Sequence, residues 1–240
     1  MKKINRKGFT IVELVIVIAV IAILSAVLIP TFSNLIKKAK ESADTQLAKN
    51  LNTALAMADA EGKELDDFSD ILQILHDGGY VISNLNPTAD DNWFAWDKET
   101  NQILYLNSAF EVVYQNTEPS SDKSKWVIGV GTSQDKETVE NAGLIAFYAP
   151  NNTEDLYNYI DEILVAAKES AQTIVISNNI NFDNQELIEI ENVKDLTFDL
   201  AGSILGGTEV HQEAPFKVNN GNFTIKNGTM AAEGYFTSSG

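Results

Sequence analysis

With 240 residues, a formal net charge of −17 and a pI of about 4.4, the chain lacks the cationic surface needed to neutralise phosphates, so no nucleic-acid partner is expected. It contains no cysteine, which excludes disulfides, thiol catalysis and Cys-based metal sites. The length allows one or two domains besides an apolar N-terminal segment, and the acidity reads as a solvated surface.

The first eight residues, "MKKINRKG", hold Lys2, Lys3, Arg6 and Lys7 and no acid, and Arg6 is the only arginine in the chain. An apolar run follows. From Leu14 to Ile29 only Ser25 is polar, and Phe9–Val12 extend the run on the other side of Glu13. Residues 9–29 are long enough to cross a bilayer of roughly 30 Å as one helix, and the basic leader holds that end in the cytoplasm. A secretory cleavage site needs small residues at its −3 and −1 positions. Cleavage after Ala26 would put Leu24 at −3, a poor fit. A plain anchor fits length and charge but leaves Glu13 unexplained, because a carboxylate in hydrocarbon is costly and marks function.

A short basic leader ending in Gly8, then Phe9, then a carboxylate at the fifth position of the shortened chain, then the apolar run, resembles the type IV prepilin signal. The family includes the pseudopilins of type II secretion and competence systems. The resemblance implies cleavage after Gly8 by a prepilin peptidase, methylation of the new amino terminus at Phe9, and retention of the helix. It also implies a partner for Glu13: the terminal amine of Phe9 on a neighbouring pilin or pseudopilin subunit. In a low-dielectric filament core that attraction favours one axial register over the others. The location implied is the cytoplasmic membrane, crossed once with the N-terminus inside, and then a cell-surface filament.

Beyond the run, Pro30 removes one helix hydrogen bond and predicts a kink rather than an end. Phe32, Leu35, Ile36, Ala39, Ala43, Leu47, Leu51, Leu55 and Ala58 recur at spacings of three and four, with charges on the other face, as an amphipathic helix requires. Gly62 is the expected stop. Residues 9–60 would span about 78 Å at about 1.5 Å per residue, a length matching the pilin spine. A short helix is expected over 64–75, "ELDDFSDILQIL", burying Leu65, Phe68, Ile71, Leu72 and Leu75 and ended by "DGG" at Asp77–Gly79. Next, "NWFAWD", "QILYLN" and "EVVYQ" read as three strands joined by short turns into an antiparallel meander, which resembles a pilin head. Trp93, Trp96, Tyr105 and Tyr114 suit either a ligand-stacking face or core packing, and core packing is the expectation.

Residues 115–125, "QNTEPSSDKSK", read as a loop or linker, and 126–143 fit either the end of the head or a bridge onward. Thr153 is placed to cap a helix over 154–170 that buries Leu156, Ile160, Ile163, Leu164 and Ala167. Then come short alternating strands punctuated by Asn and Gly. Two segments repeat, "LIEIENVKDLTFDLAGSILGG" and "PFKVNNGNFTIKNGTMAAEG", aligning Ile190 with Val218, Leu196 with Phe223 and Gly202 with Gly228. Such drifting offsets suggest solenoid coils. The stretch resembles the first coils of a right-handed parallel β-helix of the pectate-lyase-like kind, with helix 154–170 as its cap; a β-sandwich or simple hairpins are the competing reading. Two or three coils are few for a solenoid, so a shortened product, or a short natural form held by the head or a neighbour, is expected.

The fold class is therefore α+β: leader 1–8, transmembrane helix 9–29, amphipathic spine 30–62, head 63–115, linker or end of head 116–150, and cap plus coils 151–240. No catalytic or metal site and no cofactor is implied. His76 in "HDGG" and His211 in "VHQE" match no metal or triad signature. Asp183, Asp195 and Asp199 lack calcium-loop spacing. Lys194, Lys217 and Lys226 are scattered over strands. The function expected is structural: a filament subunit whose β-rich end projects for adhesion or as a spacer, with a surface glycan or protein as ligand. On steric grounds that bulk suits a minor, tip-proximal subunit. The alternative is a membrane-tethered glycan-binding or glycan-degrading protein exported by the pilin route.

Overall fold

The computed structural model describes residues 11–80, 87–89, 91–131, 133–150, 152–176, 178–182, 187–206 and 216–231. One helix dominates it. α1 runs unbroken from Ile11 to Ala60 through Pro30, about 75 Å at about 1.5 Å per residue. Beside the proline, the Thr31 hydroxyl donates to the Val27 carbonyl at 2.8 Å, adding a local bond where proline supplies no N–H. α1 ends where Gly62 takes a left-handed φ of 76°. There Gly62 N donates to Asp59 O and Lys63 N to Ala58 O, the Schellman pattern that a residue without Cβ adopts most easily.

Only the C-terminal half of α1 is packed. Its buried residues are Asp44, Ala48, Leu51, Asn52, Leu55 and Ala58, one face at the helical period. Phe32, Leu35 and Ile36, expected to belong to the buried face, are instead more than half exposed. The stripe continues in sequence, but the head ends above it.

The head lies on that upper face. α2, Phe68–Asp77, is started by a capping box in which Asp67 accepts from Asp70 N and the Asp70 side chain accepts from Asp67 N; two otherwise orphaned amides are thereby satisfied. β1 (Trp93–Asp97), β2 (Gln102–Leu106) and β3 (Val112–Tyr114) form the antiparallel meander. The sheet then continues. β4 (Trp126–Val130) pairs antiparallel with β1, α3 (Ser133–Asn141) crosses over, and β5 (Ile145–Tyr148) pairs parallel with β4, giving the order β3-β2-β1-β4-β5. One sheet face, with Phe94, Trp96, Ile103, Tyr105 and Val127, packs on α1 and α2. The other, with Ala95, Leu104, Leu106, Ile128 and Val130, packs with Val139 and Leu144 at the crossover. Both faces being covered explains why every residue of β2 is buried.

After α4 (Thr153–Glu169) come β6 (Gln172–Val175), β7 (Ile180–Asn181), β8 (Ile188–Asp199), β9 (Ile204–Gly206), β10 (Phe216–Lys226) and β11 (Thr229–Ala231). They alternate between two three-stranded parallel sheets, β10-β8-β6 and β11-β9-β7. Ile190 faces Val218 and Leu196 faces Phe223 in register. Gly202 and Gly228 are not register partners; between the 199/226 and 204/229 pairs residues 200–203 oppose residues 227–228, and Gly202 N donates to the Asn227 carbonyl at 2.6 Å. The parallel, two-sheet arrangement overrides the sandwich or hairpin reading. Inside, Phe182, Phe198, Phe216 and Phe223 make edge-on and tilted ring contacts at 5.2–5.4 Å. At the bend, Asn192 and Asn220 share a left-handed backbone and bond through their side chains at 2.9 Å, stacking one corner on the next. α4 seats Leu156, Tyr159, Ile160, Ile163 and Ala167 in this same core. Its cap is Asn152, whose Oδ1 accepts from Asp155 N at 2.8 Å; Thr153 donates instead to the Asn181 carbonyl at 2.9 Å.

Candidate functional site

The sequence-derived site is the N-terminal part of α1. Gly8 and Phe9 lie outside the described residues. Glu13 stands in the first turn of α1, on its exposed surface, where the partial positive charge of a helix start favours a carboxylate. From Ile11 to Ile36 nearly every large apolar side chain is about half exposed or more, Ile11 at 81% and Leu28 at 47%. An apolar cylinder of this length has no stable place in water. Among the described residues α1 is the one helix long and apolar enough to cross a membrane, and its surface is available both to lipid and to other helices.

The upper half of the same helix is fastened by polar contacts buried under the head, which periodicity alone does not reveal. Asp44 is 1% exposed and accepts from Thr88 N at 2.7 Å, Thr88 Oγ1 at 2.8 Å, Ala89 N at 2.9 Å and the Tyr105 hydroxyl at 3.2 Å. Burial, assisted by Asp44, pushes the Tyr105 hydroxyl up to about 12, against the opposing hydrogen bond from Asn92. Asn52 accepts from Ile103 N at 2.8 Å and donates to Ile103 O at 2.8 Å, so its amide acts as a short extra strand beside β2. Each contact fastens the spine to the sheet at a chosen height.

A second polar joint lies between head and coils. Asp199, fully buried in β8, accepts from Ser69 Oγ of α2, from Lys226 Nζ at 3.0 Å, from Asn227 Nδ2 at 3.1 Å and from Ala201 N at 3.1 Å. Its hydrogen bond holds the Lys226 ammonium above its ordinary value. Val175 and Ala201 of the coils belong to the head core.

The other flagged residues are dispersed. Trp96 and Tyr105 are core residues, Trp93 stacks on Phe110 at 5.7 Å on the opposite sheet face, and Tyr114 lies under Lys49 at 5.7 Å; no common aromatic platform results. Lys217 pairs with Glu189 at 2.7 Å, and Lys194 donates to the Glu169 carbonyl at 2.7 Å. His76 sits at the C-terminal end of α2, half-buried, with Asp77 at 3.9 Å. Asp195 is exposed on β8, and Asp183 and His211 lie outside the described residues. Among the described residues no group of three His, Cys, Asp or Glu is arranged to hold a metal ion.

Comparison with known proteins bears on the same segment. The prokaryotic N-terminal methylation motif matches residues 3–29. A fimbrial protein of Dichelobacter nodosus is 33% identical over 89 residues, 35% of this chain and 56% of that protein. The type IV wide pilus major component PilA4 of Thermus thermophilus is 55% identical over 51 residues, 21% of this chain and 37% of that protein. A fimbrial protein of Pseudomonas aeruginosa is 34% identical over 80 residues, 33% of this chain and 52% of that protein. The chain thus spans about half or less of the length of these relatives. No solved structure matches it significantly. The methylation motif, the long apolar helix and these relatives together make the N-terminal segment of this chain similar to that of type IV fimbrial and pilus proteins.

Proposed function

We propose that the protein is a structural subunit of a type IV pilus or pseudopilus-like filament, processed by prepilin peptidase after Gly8 and methylated at Phe9. The observation that carries this reading is the division of α1: a packed upper half under the head and an exposed apolar lower half that starts with Glu13. Before assembly the lower half is solvated by lipid. In the filament it is solvated by the same helix of neighbouring subunits, and Glu13 meets the amine of Phe9 on one of them. The pair is worth most where water is excluded, so a subunit one step out of register leaves a buried carboxylate without its counter-charge and is disfavoured.

The head sets the packing height of each helix, and the coils project from it. The two parallel three-stranded sheets, the stacked asparagine corners and the α4 cap support reading this part as the first coils of a parallel β-helix, exposed at the cell surface as an adhesive or spacer module. Its volume suits a minor, tip-proximal subunit. The test is assembly. Glu13→Ala is expected to leave the protein in the membrane fraction while removing it from sheared filaments, and Gly8→Ala to leave the leader attached with the same loss. Normal incorporation of Glu13→Ala would overturn the reading.

A further inference from the structure

Between the lower spine and the head, α1 and the segment around Ala89 and Asp91 enclose an open groove of about 690 Å³. Its helix wall is apolar along Leu28, Ile29, Phe32 and Ile36 and becomes cationic above, at Lys37 and Lys40. The opposite wall is fixed, since Ala89 N and Thr88 are bonded to the buried Asp44. The height matters. The exposed apolar surface of the helix continues past residues 9–29 through Phe32, Leu35 and Ile36, and Lys37 follows directly, so the lysines stand where apolar surface gives way to the polar headgroup side of the membrane. Lysines there extend their charge to phosphate while their stems stay on apolar surface. Lys37, Lys38 and Lys40 also form the densest basic cluster after the leader in a chain of net charge −17.

We propose that this groove binds one anionic glycerophospholipid of the outer-facing leaflet, its acyl chain along Leu28–Ile36 and its phosphate at Lys37 and Lys40. Asp91, on the facing wall, limits the net positive charge to what one phosphate complements and repels a free polyanion. Juxtamembrane lysines gain affinity with each anionic headgroup they approach, and the groove localises that general attraction to one molecule. The bound lipid fills the apolar wall until another helix replaces it. The inference requires the helix to stand in a membrane; it does not require filament assembly.

The test uses the full chain in nanodiscs of mixed phosphatidylcholine and phosphatidylglycerol, followed by gentle release and native mass spectrometry. One retained phosphatidylglycerol is expected, enriched roughly tenfold over its share of the bilayer. Lys37→Gln with Lys40→Gln should abolish the enrichment, and Lys37→Arg with Lys40→Arg should keep it. Membrane fractionation and the melting temperature of each variant separate lost binding from lost insertion or folding. Retention that follows bulk lipid composition, retention unchanged in the glutamine variant, or the absence of bound lipid because a second copy's helix fills the groove would each overturn the proposal.

Discussion

A few polar side chains set the geometry that the apolar residues only permit. Asp44 and Asn52 lie on the buried stripe of α1 at positions where a hydrophobic residue would also fit. A greasy contact there would tolerate sliding along the helix; four convergent donors on one carboxylate do not. Asp44→Asn keeps the shape but turns an amide N–H₂ toward donors, leaving buried groups unpaired. The expected loss is about 2–3 kcal/mol, read from denaturant unfolding. The same variant tests the electrostatics. Because the folded Tyr105 holds its proton more tightly than the unfolded chain, its contribution to stability is complete below about pH 10 and is lost as pH rises toward about 12. Removing the Asp44 charge should lower the tyrosinate midpoint only partway, because burial, the larger cause, remains. An unchanged titration would contradict the assignment.

At the scale of elements, what could be read from the sequence is what repeats locally. The apolar run, the spine, the helix carrying Phe68, Ile71, Leu72 and Leu75, and the three-strand meander announce themselves through period and short turns. The pairing of β8 with β10 does so through its asparagine corner and drifting offsets. The crossover α3 does not: "SQDKETVEN" buries Val139 alone among its described side chains, so it carries almost no amphipathic signal, and the parallel pairing of β4 with β5 is non-local. Asp44, Asn52 and Asp199 were hidden for a related reason. Polar residues on amphipathic segments read as solvent-facing until the partner across the fold is known. Asp199 joins α2, β8 and β10, so its loss should act on elements that are far apart in the chain. Asp199→Ala leaves Ser69, Lys226 and Asn227 without their shared acceptor. Calorimetry is expected to show one unfolding transition for the parent and separate transitions for the head and the C-terminal parallel sheets in the variant, the latter melting first. A single transition at the parental temperature would show that apolar contacts alone couple the two parts.

At the scale of the whole molecule, three environments are stacked along one chain. The lower helix belongs to lipid or to other helices, the head clamps the upper helix, and the coils extend from the head through the Asp199 joint. The methylation motif lies at residues 3–29, and the fimbrial relatives match about a third of the chain or less. On the proposed function the processing of the N-terminus is decisive, because the amine proposed to answer Glu13 would exist only after removal of the leader. The most direct measurement is the intact mass of the protein extracted from its native membrane. A chain that begins at Phe9 and carries one added methyl group is the predicted result; a chain that still begins at Met1, or begins beyond Ile29, would contradict the account.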